Sequence, residues 1–154
     1  MDYQAWIPLF GLPATDPKVV SLLAAHGVTD PVTLPPQTST TGADFKPHGF
    51  GVGFTSEFTL RGGAADLPIL ASVVIVVSPA KVKKGWVLYA GGLPGGIKAS
   101  DSKDEVVANL GPPANVNDDY TSAGWAIDGL ELGIAFTEGW KQIKQLGLSL
   151  PGAL

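Results

Sequence analysis

The sequence predicts an α+β domain: an antiparallel sheet of about seven strands carrying two short helices. Three observations lead there. Short β-branched or aromatic runs are punctuated by glycine, proline and one Asp128-Gly129 pair, the residues of tight turns. Two stretches of helical period each open on a capping residue and close on a glycine. Helix, loop and three or four strands recur in that order in residues 1–90 and 91–154, reading as two half-repeats with their helices packed on the sheet. The 154-residue length fits one domain, 1–154, whose core needs no disulfide or metal staple.

The first helix is expected over 17–26. Asp16 serves as N-cap, Pro17 takes the first helical position and Gly27 follows the end. Val19, Leu22, Leu23 and His26 share one face. Residues 29–47 hold four prolines and five threonines and read as an extended loop with a short strand near 32–34. Then Phe50, Val52 and Phe54 alternate with Gly49, Gly51 and Gly53. One strand face is aromatic and the other is bare backbone, so something crosses the glycine side closely. A second short strand is expected at 57–61 and a central β-branched one at 69–78. A basic turn at 79–84 leads to a return strand at 85–90.

Residues 91–96 are too rich in glycine and proline for regular structure. Ser102 and Glu105 then form a capping box, each side chain able to satisfy the other's free backbone N–H. Val106, Val107 and Leu110 give that helix its apolar face. Gly111 ends it and Pro112-Pro113 prevents continuation. A polar loop over 115–122 precedes three closing strands at 124–127, 130–136 and 142–150. Asp128-Gly129 turns the first hairpin and Glu138-Gly139 the second.

Reaction chemistry is sparse. With no cysteine, disulfides, thiolate catalysis and cysteine-based metal sites are excluded. His26 lies on an apolar helix face and reads as a packed residue. His48, in a loop before a strand, is the better catalytic candidate, yet no serine or acid stands at a telling distance. There is no G-x-S-x-G elbow, no H-E-x-x-H pair and no calcium-binding loop. Asp118-Asp119 reads as a polar turn, and neither glycine cluster leads into a helix with a phosphate-binding lysine. The expectation is therefore a chain with no catalytic residue, no cofactor and no metal. Of the tryptophans, Trp86 and Trp125 read as core, Trp6 as packed on the sheet, and Trp140, following Gly139 in a turn, as either an exposed interface anchor or an edge-packed ring.

Charge is unevenly spread. Residues 101–154 carry eight acids against three bases, whereas residues 1–100 carry six acids against seven bases. Such a surface repels nucleic acid and attracts a basic partner. Arg61 is the sole arginine, and Lys81, Lys83 and Lys84 make only one small patch. The longest apolar run, residues 69–77, is far short of a membrane span of roughly 20 residues. Asp2 and the lack of a basic leader region argue against a secretory signal, so the expected location is cytoplasmic, with no membrane and no nucleic acid as partner.

Leu93-Pro94, Gly96-Ile97, the Ser102…Glu105-Val106 box, Leu110-Gly111 with Pro113, Trp125 and residues 130–136 form a pattern. It resembles small bacterial immunity proteins associated with polymorphic toxins and secretion-system effectors. The N-terminal L-F-G-L-P-A-T-D-P-K-V-V-S-L-L-A-A-H-G resembles the start of such proteins. The helix with its L-G-x-P end is also similar to the repeats of β-lactamase inhibitor proteins. The resemblance implies a non-enzymatic protein that binds and occludes a cognate toxin acting in the cytoplasm. The acidic half then supplies the contact: Asp101, Asp104, Asp118, Asp119 and Tyr120, with Trp140 as outside anchor. Two other readings stay open, a small-molecule-binding or enzymatic pocket near His48 and a structural or assembly module of a secretion or envelope system.

Overall fold

The computed structural model describes residues 2–78 and 85–153. Its centre is one seven-stranded antiparallel sheet in the order β1-β2-β3-β7-β6-β5-β4. The strands are β1 (Thr40–Phe45), β2 (Phe50–Ser56), β3 (Pro68–Val76), β4 (Asn115–Asn117), β5 (Ser122–Ile127), β6 (Leu130–Phe136) and β7 (Ile143–Ser149). Among the described residues three α-helices accompany it: α1 (Pro17–Ala25), α2 (Glu57–Arg61) and α3 (Lys103–Leu110). Strands β1 to β3 form one meander and β4 to β7 another, and the two meet where β3 pairs with β7. The α+β class and the antiparallel sheet are as the sequence predicts.

Register decides which face is core. Phe50, Val52, Val73, Ile75, Leu146, Leu148, Leu132, Ile134, Ala123 and Trp125 are cross-strand partners in turn and all are buried. Opposed residues of an antiparallel pair point to the same side, so these ten make one apolar face. Val19 and Leu23 of α1, Val106 of α3, and Tyr3 and Trp6 of the N-terminal 3-10 turns are buried in the same cluster. Each large apolar side chain removed from water in this way contributes about 1.5–3 kcal/mol.

Both long helices begin as their sequences dictate. An Asp16 carboxylate oxygen accepts from Lys18 N with Pro17 at the first position. In α3 the Ser102 hydroxyl accepts from Glu105 N at 3.2 Å, and the Glu105 carboxylate accepts from Ser102 N at 3.1 Å. The far end of α3 is tied to the sheet by Trp125, whose indole N–H donates to Gly111 O at 2.9 Å.

Some expected elements differ. Residues 57–61 form α2 and not a strand. The Ser56 hydroxyl accepts from Thr59 N, and Gly62 closes the turn in the left-handed region, so a local cap overrides the Phe58/Leu60 alternation. Residues 85–90 form no strand. Val87 N donates to Lys46 O and Tyr89 N to Val76 O, which lays this segment across the ends of β2 and β3. Trp86 is accordingly half-buried rather than core. Strand β1 lies inside the expected 29–47 loop and β4 inside the expected polar loop at 115–122, while residues 32–34 are not a strand. The expected basic turn at 79–84 lies outside the described residues.

Candidate protein-binding surface

Three separate segments of the C-terminal half bring acidic residues to one end of the sheet, while Asp128 and Glu131 lie toward the opposite end. Phe136 N donates to Thr121 O at 2.8 Å, joining the β4–β5 turn to the end of β6. Ile143 N donates to Ala99 O at 3.3 Å, bringing the loop before α3 to the start of β7. Lys103 Nζ sits 4.3 Å from the centre of the Trp140 ring, which fixes the first turn of α3 beside the β6–β7 turn. Asp101, Asp104, Asp118, Asp119, Tyr120 and Trp140 therefore share this end.

Their individual roles differ. Asp101 is half-buried, and its carboxylate accepts from Lys98 N at 2.9 Å, so it holds its own turn. Asp104, in the first turn of α3, and Asp118 and Asp119, in the β4–β5 turn, are exposed and form no ion pair among the described residues. Carboxylates in a first helical turn also complement the helix dipole, which accounts for Asp104 without a partner. Tyr120 is 75% exposed, with its backbone N–H fixed by Asn117 Oδ1. Trp140 is half-buried, its ring shared between Phe136 and Lys103. It takes a positive φ of 60°, so the chain is bent sharply to place this ring.

His48 sits elsewhere, in an aromatic cluster. Its ring lies 5.8 Å from that of His26 and 6.4 Å from that of Phe50. His26 stands at the C-terminus of α1, where its Nδ1–H donates to Leu22 O at 2.9 Å and its ring packs on Trp6 and Phe45. Nearby, burial pushes the Tyr89 phenol well above its ordinary range, reinforced by the hydrogen bond it donates to the Asp2 carboxylate. Burial likewise raises Tyr3, which packs edge-on against Tyr89.

No protein family, curated protein or solved structure matches this chain. Among the described residues, no group of three or more metal-ligating side chains comes together, and no helix is long and apolar enough to cross a membrane.

The face of the sheet turned away from α1 and α3 carries a second feature, which the sequence did not reveal. Asp44, Gly51, Val74, Gly147, Gly133, Gly124 and Asn115 pair in succession across all seven strands. Four of these seven are glycines, and the bare backbone of three of them, Gly147, Gly133 and Gly124, floors an open trough of about 490 Å³ over β3, β7, β6 and β5. The adjacent row contributes Ser72, Ser149, Glu131 and Ala126. The alternating glycines of β2 were legible in the sequence. What was not legible is the register that aligns glycines of four strands.

Proposed function

We propose that this chain is an immunity-type protein that binds and occludes a cognate toxin or effector of basic surface, through the acidic end of the sheet. One observation carries the reading. Three separate segments converge to set exposed Tyr120 among carboxylates that have no ion-pair partner among the described residues. Unpaired acids steer a basic protein into encounter and raise the association rate by 10-fold or more. An exposed aromatic among them is the kind of side chain that anchors an interface. Inhibition by occlusion asks for a rigid scaffold and a specific surface, and no catalytic group. The toxin-immunity assignment draws its support from the resemblance of the L-G-x-P helix end and the N-terminal segment.

The test is co-expression with the protein encoded by the adjacent reading frame. That protein should arrest growth alone and not in the presence of this chain. The double variant Asp118→Lys/Asp119→Lys should bind it at least 10-fold more weakly, with the loss mainly in the association rate and diminished by salt. A neighbour that is harmless alone, or a double variant that binds as the parent does, refutes the reading.

A further inference from the structure

Resting on the reading above for the class of partner, we infer that the glycine-floored trough seats a segment of a basic protein. An arginine or lysine of that segment reaches Glu131 and Ser149 while its aliphatic stem lies along Gly133 and Gly147. Gly133 is the first argument. It lies mid-strand with no left-handed φ, and a Cβ built on it would meet nothing within 4 Å. Gly51 and Gly124 differ, because the side chains of Asp44 and Asn115 fold over them. A glycine inside a strand costs roughly 0.5–1 kcal/mol relative to alanine. Among the described residues, nothing approaches Gly133 closely enough to require that cost. A local rule broken without internal compensation marks the places where function constrains a sequence.

Ser149 is the second, independent argument. Its residue is only 4% exposed, it lines the trough, and its hydroxyl has no hydrogen-bond partner among the described residues. The hydroxyl itself reaches the open space of the trough, where an incoming donor takes the place of solvent. Glu131, directly opposite Ser149 in the register, is the third. It is exposed, lines the trough, and has no ion pair among the described residues.

Together these define the occupant. Among the described residues, no lysine or arginine lines the trough. A second copy of this chain docked by the same face would bring a further Glu131 and, among the described residues, no lysine or arginine, so charge does not favour self-association here. A cationic head donates at once to the Glu131 carboxylate and the Ser149 hydroxyl oxygen, the charge-assisted geometry that favours arginine. The methylene stem of such a side chain covers apolar surface well, and glycine Cα groups offer that surface here. The volume, about 490 Å³, falls in the range of roughly 300–1,000 Å³ typical of small-ligand sites. It suits a short segment of a partner and not a whole domain.

The test selects phage-displayed cyclic peptides of random sequence on the immobilised full chain. Recovered peptides should carry an essential arginine or lysine. They should bind at least 10-fold more weakly to Gly133→Trp, which plugs the trough from open space, and to Glu131→Gln. Ser149→Ala, a variant that removes only the hydroxyl, should weaken them at least 3-fold with an unchanged thermal midpoint. This guards against misreading a folding defect in the plugged variant. Failure to recover binders, binders without a basic residue, or binders indifferent to all three substitutions overturn the inference. Peptides that depend on Asp118 and Asp119 but not on Gly133 also overturn it, and leave the acidic-end reading standing. Peptides that need the trough support it even where the adjacent reading frame encodes no toxin.

Discussion

Alanine at Gly133 and alanine at Gly49 should move stability in opposite directions. At Gly133 the added Cβ enters open space on an extended backbone. The substitution removes the entropic cost of a strand-interior glycine, a gain of about 0.5–1 kcal/mol. For a chain of this length that raises the thermal midpoint by roughly 1–4 °C. At Gly49 the backbone is left-handed, with φ 78°, and the new Cβ would lie 2.7 Å from Val87 O and 2.8 Å from Tyr89 Cα. The left-handed geometry costs an L-residue about 1–2 kcal/mol. The overlap falls on backbone that is hydrogen-bonded to Lys46 O and Val76 O, and overpacking adds about 1–3 kcal/mol. A loss of about 2–5 kcal/mol lowers the midpoint by roughly 4–20 °C. Thermal and urea unfolding followed by far-ultraviolet circular dichroism and tryptophan fluorescence read both effects. A destabilised Gly133→Ala variant would mean that the space above β6 is filled in solution, which would remove the basis for a trough. A neutral Gly49→Ala variant would mean that the 87–89 crossing is not fixed.

Two further outcomes are expected. Ser102→Ala removes the hydroxyl half of the α3 capping box and should cost about 1 kcal/mol in urea unfolding, with Ser102→Gly costing less; equal stability of parent and alanine variant would show that the cap is not made in solution. Tyr3 and Tyr89 both titrate above their ordinary value because burial disfavours the phenolate. A group whose pKa is raised by folding gives stability that is complete below its unfolded value, about pH 10, and is lost as pH climbs beyond it. Unfolding midpoints measured from pH 8 to 11.5 should therefore fall on the alkaline side, and the double variant Tyr3→Phe/Tyr89→Phe should flatten that fall. An unchanged alkaline slope in the double variant refutes the assignment.

The elements that were legible in the sequence are those with a local cause. Asp16-Pro17 and Ser102…Glu105 fix helix starts through side chains within three residues of the backbone they cap, so α1 and α3 could be read directly. Asp128-Gly129 fixed the β5–β6 hairpin in the same way, with both residues at positive φ. Strand β1 has no such signal. Its Thr-Thr-Gly-Ala-Asp-Phe run is a poor strand in isolation and becomes one only against β2. Residues 85–90 show the reverse, a strand-like pattern that finds its hydrogen bonds on Lys46 and Val76 instead of in a ladder. At the acidic end the charges were legible because they lie close in sequence, whereas their convergence depends on contacts between turns. The trough was the least legible of all. It is made by register across strands, and single-sequence periodicity says which residues share a face but not which lie opposite one another.

Strand β7 closes the sequence of strands but occupies the middle of the sheet, between β3 and β6. Its ladder to β3 runs from the Ser72–Ser149 pair to the Val76–Gln145 pair, so β3 has no inner neighbour until β7 has been synthesised. On the ribosome, the emerging β1–β3 unit exposes an open inner edge along the residues that β7 will cover, and such edges recruit foreign strands. Pairing across so long a separation must close a large loop before it is rewarded, which places folding toward the slow end of small domains, on the order of milliseconds to seconds. The inner edge of β3 thus stays open until β7 has been made.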